Sequence, residues 1–483
     1  MDFFLTELEL CPSQPKSLRE QLLIALRSRI LAGKFGSGER MPSSRAMAKH
    51  LGISRRTVID VYETLLADGL ICTRQGRGTF VVDQDRLPAT AQSEPARRAV
   101  SLSERGRHLL ASSSDWSPSW AERVLQPGIP ALDLFPYEQW RRSLSKSVAA
   151  AGPKAHWSSN PCGSATLRGM IAAHIGPSRD VACTADQIVL FSSQRLALHV
   201  LFALLLDPGS PVLVEDPCLP ELLAVARAQG QIPVPISVSE EGADITRIDP
   251  AYRAARLAVV TPAHQYPTGV TMQGTQRSDL LDWANSQDSY ILEDDYDGEF
   301  WLSDNRVGAL YGQATNDRVI YFNSFSKTMF PALRLSYLVL PEALVAPVCA
   351  LKGLLEPQVS SMAELALTEF IASGAYTKHL RAMRQVYRER HKAMQFALEQ
   401  RLGARVRIAS GQCGLHLCAN LEPRLVDTEI TAAMAARGYG CKALSGYYAN
   451  PPDTNHNGLV IGYAGWDVPI LNRSIEVLGT LCR

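Results

Sequence analysis

The sequence predicts an α/β protein. A small helical head ending in a hairpin leads into a large, mostly parallel sheet with helices on both faces, closed by a smaller α+β lobe. Three observations carry this prediction. Short, continuous apolar runs alternate with helical stretches over most of the chain, the pattern of a parallel sheet buried on both sides. Basic charge is concentrated near the N-terminus. Between the two regions, residues 83–116 are rich in Ser, Ala, Arg and Pro, have little apolar periodicity, and read as a linker. The expected divisions are therefore a head at 1–82, a linker at 83–116 and a body at 117–483.

Composition bounds the function. The chain has 483 residues, 46% hydrophobic and 20% charged, enough for two or three domains with a sizeable core. No run of about 18 apolar residues exists, so no membrane span is expected. The opening MDFFLTELELCPSQ carries acids and no basic n-region, so no signal peptide is expected either. Ten cysteines without a CxxC pair suggest free thiols in a reducing, cytoplasmic setting, with neither a disulfide scaffold nor a metal site. The net charge of +1 conceals 12 Lys+Arg against 5 Asp+Glu over residues 16–82. A basic head on a near-neutral body points to nucleic acid. On charge alone, a solvated basic face remains an equal alternative.

The head reads element by element. Leu18, Leu22, Leu26 and Ile30 recur every four residues and make one apolar stripe, ended by Gly33 and Gly36. A second helix begins at Ser43-Ser44, packs through Met47 and Leu51, and turns at Gly52. A third begins at Ser54, with Val58, Val61, Tyr62 and Leu65 inward. This spacing suits a helix-turn-helix whose third helix enters a major groove. Ser54, Arg55, Arg56 and Thr57 then face DNA, the arginines toward guanine edges and the hydroxyls toward phosphate. Two short strands flanking Gln75-Gly76-Arg77-Gly78 read as a wing, with Arg74 and Arg77 near a phosphate backbone. On LAGKFGSGERMPSSR (31–45), LGISR (51–55), Thr57-Val58 and GRGTF (76–80), the head resembles the GntR-type winged helix-turn-helix. The resemblance implies DNA contacts from Arg45, Arg55, Arg56, Thr57 and Gly76.

In the body, 187–191, 211–215, 256–260, 289–293, 318–322 and 336–340 read as buried strands. Helical stretches at 195–206, 219–229 and 275–286 lie between them. A long helix near 375–402 precedes short strands near 405–408, 413–419 and 459–463.

Four motifs carry chemistry. In NSFSKTMFPALR (323–334), Lys327 follows a strand, with Ser324, Ser326 and Arg334 around it. A Schiff-base lysine needs such an anion-binding group to hold its cofactor's phosphate. In ILEDDYDGEF (291–300), carboxylates end a buried strand, a costly position without partners. An Asp there can keep a pyridine nitrogen protonated, and a nearby Tyr can bond a phenolate. An acidic loop or a divalent-metal site is the alternative reading. The polar loop VTPAHQYPTGV (260–270) supplies Tyr266. Ser193 and Gln194 open a helix whose N-terminus suits a phosphate.

Together with QPGIPALDLFP (126–136), these motifs resemble the fold-type I aminotransferases. With the head, the chain resembles the MocR/GabR-type regulators over most of its length. That resemblance implies pyridoxal 5'-phosphate on Lys327, the ring nitrogen on Asp294 and the phenolate on Tyr296. It assigns the phosphate to Ser324, Ser326 and Arg334, with Ser193, Gln194 and Tyr266 also toward the cofactor. The chain departs from the family at Ser193, where glycine is usual. It departs also at Leu219, where an aromatic ring stacks, and at Ser158 beside Trp157, where a tyrosine reaches the neighbouring subunit. No arginine for a substrate carboxylate stands out, and Lys442 is the substitute considered. The expected function is a homodimeric transcription regulator that binds operator DNA and responds to the cofactor or to an amine or amino-acid effector. A working aminotransferase with an appended head, or a regulator whose cofactor site has degenerated, are the alternatives.

Overall fold

The computed structural model describes residues 10–11, 16–36, 38–82, 101–111, 123–153, 160–302, 306–409, 411, 414–449 and 456–482. The chain divides into two compact units, Met1–Ser101 and Leu102–Arg483.

The first unit contains α1 (Leu18–Leu31), α2 (Ser44–Leu51), α3 (Arg55–Ala67), β1 (Ile71–Arg74) and β2 (Gly78–Val81). Each helix starts where a hydroxyl can take an orphan N–H. Ser17 forms a capping box with Glu20, Ser43 accepts from Ala46, and Ser54 accepts from Thr57. Gly52, at φ 65°, ends α2 in the left-handed region that a side chain disfavours. The predicted stripes meet in one core: Leu22, Leu26, Ile30, Met47, Val58, Val61 and Leu65 are buried. Tyr62 joins them and donates its hydroxyl to the Pro42 carbonyl at 2.8 Å. β1 and β2 pair antiparallel, and Arg40 adds an isolated bridge to Phe80 that periodicity gave no hint of.

The second unit is built on an eight-stranded sheet of β3 (Ile188–Phe191), β4 (Pro211–Asp216), β5 (Ile232–Ser239), β6 (Gly242–Ala243), β7 (Leu257–Val260), β8 (Tyr290–Asp294), β9 (Val319–Ser324) and β10 (Ser336–Val339). Their order is β3-β10-β9-β8-β7-β4-β5-β6. The pairs β5–β4, β4–β7, β7–β8 and β8–β9 are parallel; β10 is antiparallel to both its neighbours. Strand alternation serves two cores. Val212 and Val214 pack with Leu198, Leu201 and Leu223, while Leu213 packs on the other side with Leu280 and Trp283. This two-sided burial is why the strands read as unbroken apolar runs. β5 was not anticipated, because Pro233, Pro235 and its exposed positions break the pattern; it lies next to the two-residue edge strand β6. A second, four-stranded sheet orders β11 (Val406–Ile408), β12 (His416–Leu421), β14 (Gly458–Gly462) and β13 (Lys442–Ala443). The helix Ala375–Leu402 packs against it.

Two expectations change. The stretch read as linker contains a helix, Glu104–Ala111, whose few apolar residues give no clear stripe. The rest of that stretch, at 83–100 and 112–116, lies outside the described residues, as do Trp157 and Ser158. The thiols are not all free: Cys162 and Cys349 form a disulfide across 187 residues of sequence. Spacing could not reveal it, because only packing brings the segment before Ala165–Arg179 to the helix Glu342–Leu355. No helix among the described residues is long and apolar enough to cross a membrane.

Candidate functional site

β4, β7, β8 and β9 run in one direction, and β3 joins them because β10 opposes both β3 and β9. Their carboxyl ends therefore share one edge, the place where open α/β sheets hold ligands. A cavity of about 140 Å³ lies there, lined by Lys327, Asp294, Tyr296, Tyr266, Gln194 and Leu219 among others.

The acidic run after β8 shows how one carboxylate is singled out. Glu293 accepts the backbone N–H groups of Leu310 and Tyr311 at 2.7 and 2.8 Å. Asp295 takes both arms of the buried Arg179 guanidinium, at 2.6 and 2.9 Å, and the Tyr321 hydroxyl at 2.7 Å. Glu299 is held by His174, Ser178 and Arg384. Asp294, on the alternate face, turns to the cavity. One of its oxygens accepts from the Gln194 side-chain amide. The other, Oδ1, is buried without a hydrogen-bond partner. Burial, with Asp295 and Asp297 nearby, pushes the Asp294 carboxyl up to about 8, against the pull of Lys327 and Gln194. A buried acceptor lacking a donor fits a protonated ring nitrogen.

Lys327 lies in the short helix Phe325–Thr328 and donates to the Gly128 carbonyl at 2.8 Å. Burial lowers its basicity, opposed by Asp297 and Asp294, and so favours the neutral, nucleophilic amine. Gly128 is required here. It sits at φ 76°, and a Cβ would stand 2.6 Å from the lysine nitrogen. Glu215, at the end of β4, forms another wall. It accepts from the Thr261 N–H at 3.1 Å, the Thr261 hydroxyl at 2.5 Å and Gln265 at 3.1 Å. Burial still pushes it up to about 7.

The remaining predicted cofactor residues divide. Tyr296 and Tyr266 line the cavity, the first with its hydroxyl 2.8 Å from His264 Nδ1, the second 3.3 Å from the Tyr447 hydroxyl. Gln194 lines it too, but its amide serves Asp294. Ser193 caps the helix Gln194–Leu205 through Leu196, and Ser324 and Ser326 bond each other at 3.0 Å. Arg334 is exposed, in the left-handed region at φ 52°. None of these last four lines the cavity. Leu219 and Cys218 do, at the position where the family stacks a ring. Lys442 is exposed on β13 and lines nothing there. Sequence reasoning missed Gly128, Glu215 and Thr261. Their signals were the proline-glycine run at 126–136, the acid ending an apolar strand and the polar loop at 260–270.

In the first unit, α3 presents Arg55 and Arg56 outward. Arg55 Nε reaches the Ser44 hydroxyl at 3.2 Å, and Arg56 pairs with Asp60 at 2.9 Å while its side chain stays 80% exposed. Such an exposed pair is weak enough to exchange for a phosphate or a base. Ser54 and Thr57 are partly spent on the cap, their hydroxyls 2.9 Å apart. Arg45 is exposed on α2, and Gly76 and Arg77 are exposed at the wing tip, where Gly76 takes φ 72°. Arg74 instead stacks over Phe80.

Comparison with known proteins matches residues 18–81 to the bacterial regulatory proteins of the gntR family and residues 125–452 to aminotransferase class I and II. The chain is 32% identical over 470 residues to the "Probable rhizopine catabolism regulatory protein MocR" of Rhizobium meliloti, covering 95% of this chain and 93% of that one. It is 28% identical over 461 residues to the HTH-type pyridoxine biosynthesis transcriptional regulator PdxR of Corynebacterium glutamicum, covering 94% of each. Among solved structures, the α-aminoadipate aminotransferase LysN of Thermus thermophilus superposes with a TM-score of 0.68 at 24% identity. It covers 79% of this chain and 94% of the enzyme, a likeness of fold.

Proposed function

The chain belongs to the MocR-type regulators, a gntR-family head joined to an aminotransferase class I and II body, and from that premise we propose a DNA-binding transcription regulator whose body holds pyridoxal 5'-phosphate. The observation that carries the cofactor is Asp294 Oδ1, buried and unpartnered in the wall of the cavity that Lys327 enters. When bound, the cofactor supplies an aldehyde that condenses with primary amines and a ring that withdraws electrons. Lys327 offers the amine, Asp294 the acceptor for the ring nitrogen, and Tyr296 and Tyr266 their hydroxyls at the wall. Ser324, Ser326, Arg334 and the N-terminus opened by Ser193 are the phosphate-holding set implied by the family.

An effector amine competes with Lys327, and its occupancy biases the arrangement of two heads on a homodimer over repeated half-sites. α3 lies in a major groove, with Arg55 and Arg56 toward bases and Arg45, Gly76 and Arg77 toward the backbone. Such a protein works in the cytoplasm, where its DNA is. A second reading, a regulator whose cofactor site has degenerated, is favoured by Arg334 being exposed and outside the cavity lining.

The deciding experiment loads purified wild type and Lys327→Ala with the cofactor and records the visible absorbance. A Lys327-dependent band supports the proposal; its absence favours the degenerate reading. Amino-donor half-reaction rates then separate regulator from aminotransferase.

A further inference from the structure

Behind the cofactor pocket, three segments bring His264, Asp297 and His416 together, from the loop after β7, the loop after β8 and the start of β12. All three are almost fully buried, at 2%, 1% and 2% exposure, and none lines the cavity. One ligand atom from each lies within 4.8 Å of the others. His264 Nδ1 stands 3.1 Å from both Asp297 oxygens and 2.8 Å from the Tyr296 hydroxyl.

Hydrogen bonding alone does not complete this cluster. His416 Nε2 faces the Pro267 carbonyl at 3.1 Å, so that nitrogen carries the ring's proton. The other nitrogen, Nδ1, is left with a lone pair, buried and without a partner. A buried lone pair without a donor is costly and asks for one. Space is also kept open at the cluster. Gly414 sits at φ 106°, and a Cβ there would stand 2.5 Å from His264 Nδ1 and 2.7 Å from Asp297 Oδ2. Two imidazoles and a carboxylate thus converge beside a position cleared of side chain.

We propose that His264, Asp297 and His416 form a binding site for a zinc-class divalent cation, with the Tyr296 hydroxyl at hand as a fourth oxygen. Two imidazoles and one carboxylate favour zinc and its first-row neighbours over magnesium or calcium. The Pro267 carbonyl supplies the outer partner that orients a ligating histidine. The three segments belong to both sheets, so the ion ties the β12 lobe to the carboxyl edge of the large sheet. Through Tyr296 it sets the position of one wall of the cavity.

The test uses the full chain, stripped with chelator and assayed without pyridoxal phosphate. Zinc(II) is titrated by calorimetry and cobalt(II) by visible absorption. The expected result is one saturable equivalent with the d–d bands of nitrogen and oxygen ligation and no thiolate charge-transfer band. That equivalent is lost in His416→Gln and in Asp297→Asn, which keep size and hydrogen bonding. Zinc raises the melting temperature of wild type and leaves both variants unmoved. Near-UV circular dichroism of the metal-free variants checks folding, and either folded variant suffices. Absence of a saturable equivalent in wild type, or its survival in a folded variant, overturns the site.

Discussion

Replacing Glu215 by Gln tests the electrostatics of the pocket wall with a sign and a size. The Glu215 carboxyl has an ordinary value of 4.5 and is pushed up to about 7 by burial. Three hydrogen bonds, from the Thr261 N–H and hydroxyl and from Gln265, offset only part of that cost. Its other oxygen has no partner. The folded chain therefore holds this proton more tightly than the unfolded chain. Linkage makes the group's contribution fully present below pH 4.5 and lost as pH rises toward 7. Each pH unit in that window is worth about 1.4 kcal/mol, so about 3 kcal/mol is lost across it. Glutamine keeps an acceptor for Thr261 and has no charge to bury, so it escapes the loss. The assay is urea unfolding of the body from pH 4.5 to 8 for both proteins. The quantity read is the stability of Glu215→Gln minus wild type, in which the other titrating groups cancel. That difference rises by about 3 kcal/mol from the acid to the alkaline end. A flat difference, or one that falls, refutes the claim that Glu215 is held protonated by burial.

Three further outcomes follow from the same geometry. Asp294→Ala removes the acceptor for the ring nitrogen and weakens pyridoxal phosphate retention by about 1.5–3 kcal/mol, roughly 10- to 150-fold. Equilibrium dialysis reads this, and unchanged retention would place the ring elsewhere. Arg55→Ala weakens binding to DNA fragments selected by the wild-type protein by about 1–3 kcal/mol and relaxes sequence preference, whereas Arg77→Ala lowers the salt slope by about 1. Gel-shift titrations at several salt concentrations separate the two, and equal effects would contradict the assigned roles. Leu26→Ala empties a fully buried position between α1 and α3 and costs the head about 2–5 kcal/mol. Calorimetry should show the head's transition fall while the body's stays in place.

Much of the fold was legible because its signals are local. The four-residue stripe from Leu18 to Ile30, the hydroxyl before each helix of the head and the glycines at its turns each act within one or two turns of chain. The helix at 375–402 was readable for the same reason. β5 was not, because Pro233 and Pro235 hide a strand that only its neighbour β4 defines. In the site, Lys327 and Asp294 were legible because a lysine in a hydroxyl-rich run and an acid ending a buried strand are locally improbable. Which carboxylate of 293–299 serves the cavity was not a local question. Arg179 claims Asp295 from 116 residues away, and the Gly128 carbonyl meets Lys327 across 199.

By itself, then, the sequence determined a DNA-binding head joined to a lysine-bearing α/β body, because periodicity, capping and motif spacing are written along the chain. Tertiary structure alone decided what surrounds that lysine. It gave Gln194 to Asp294 rather than to a phosphate, left Arg334 exposed, and gathered His264, Asp297 and His416 into one buried cluster. Partners of buried polar groups are chosen by which strands and loops converge in space, and that convergence has no period in the sequence.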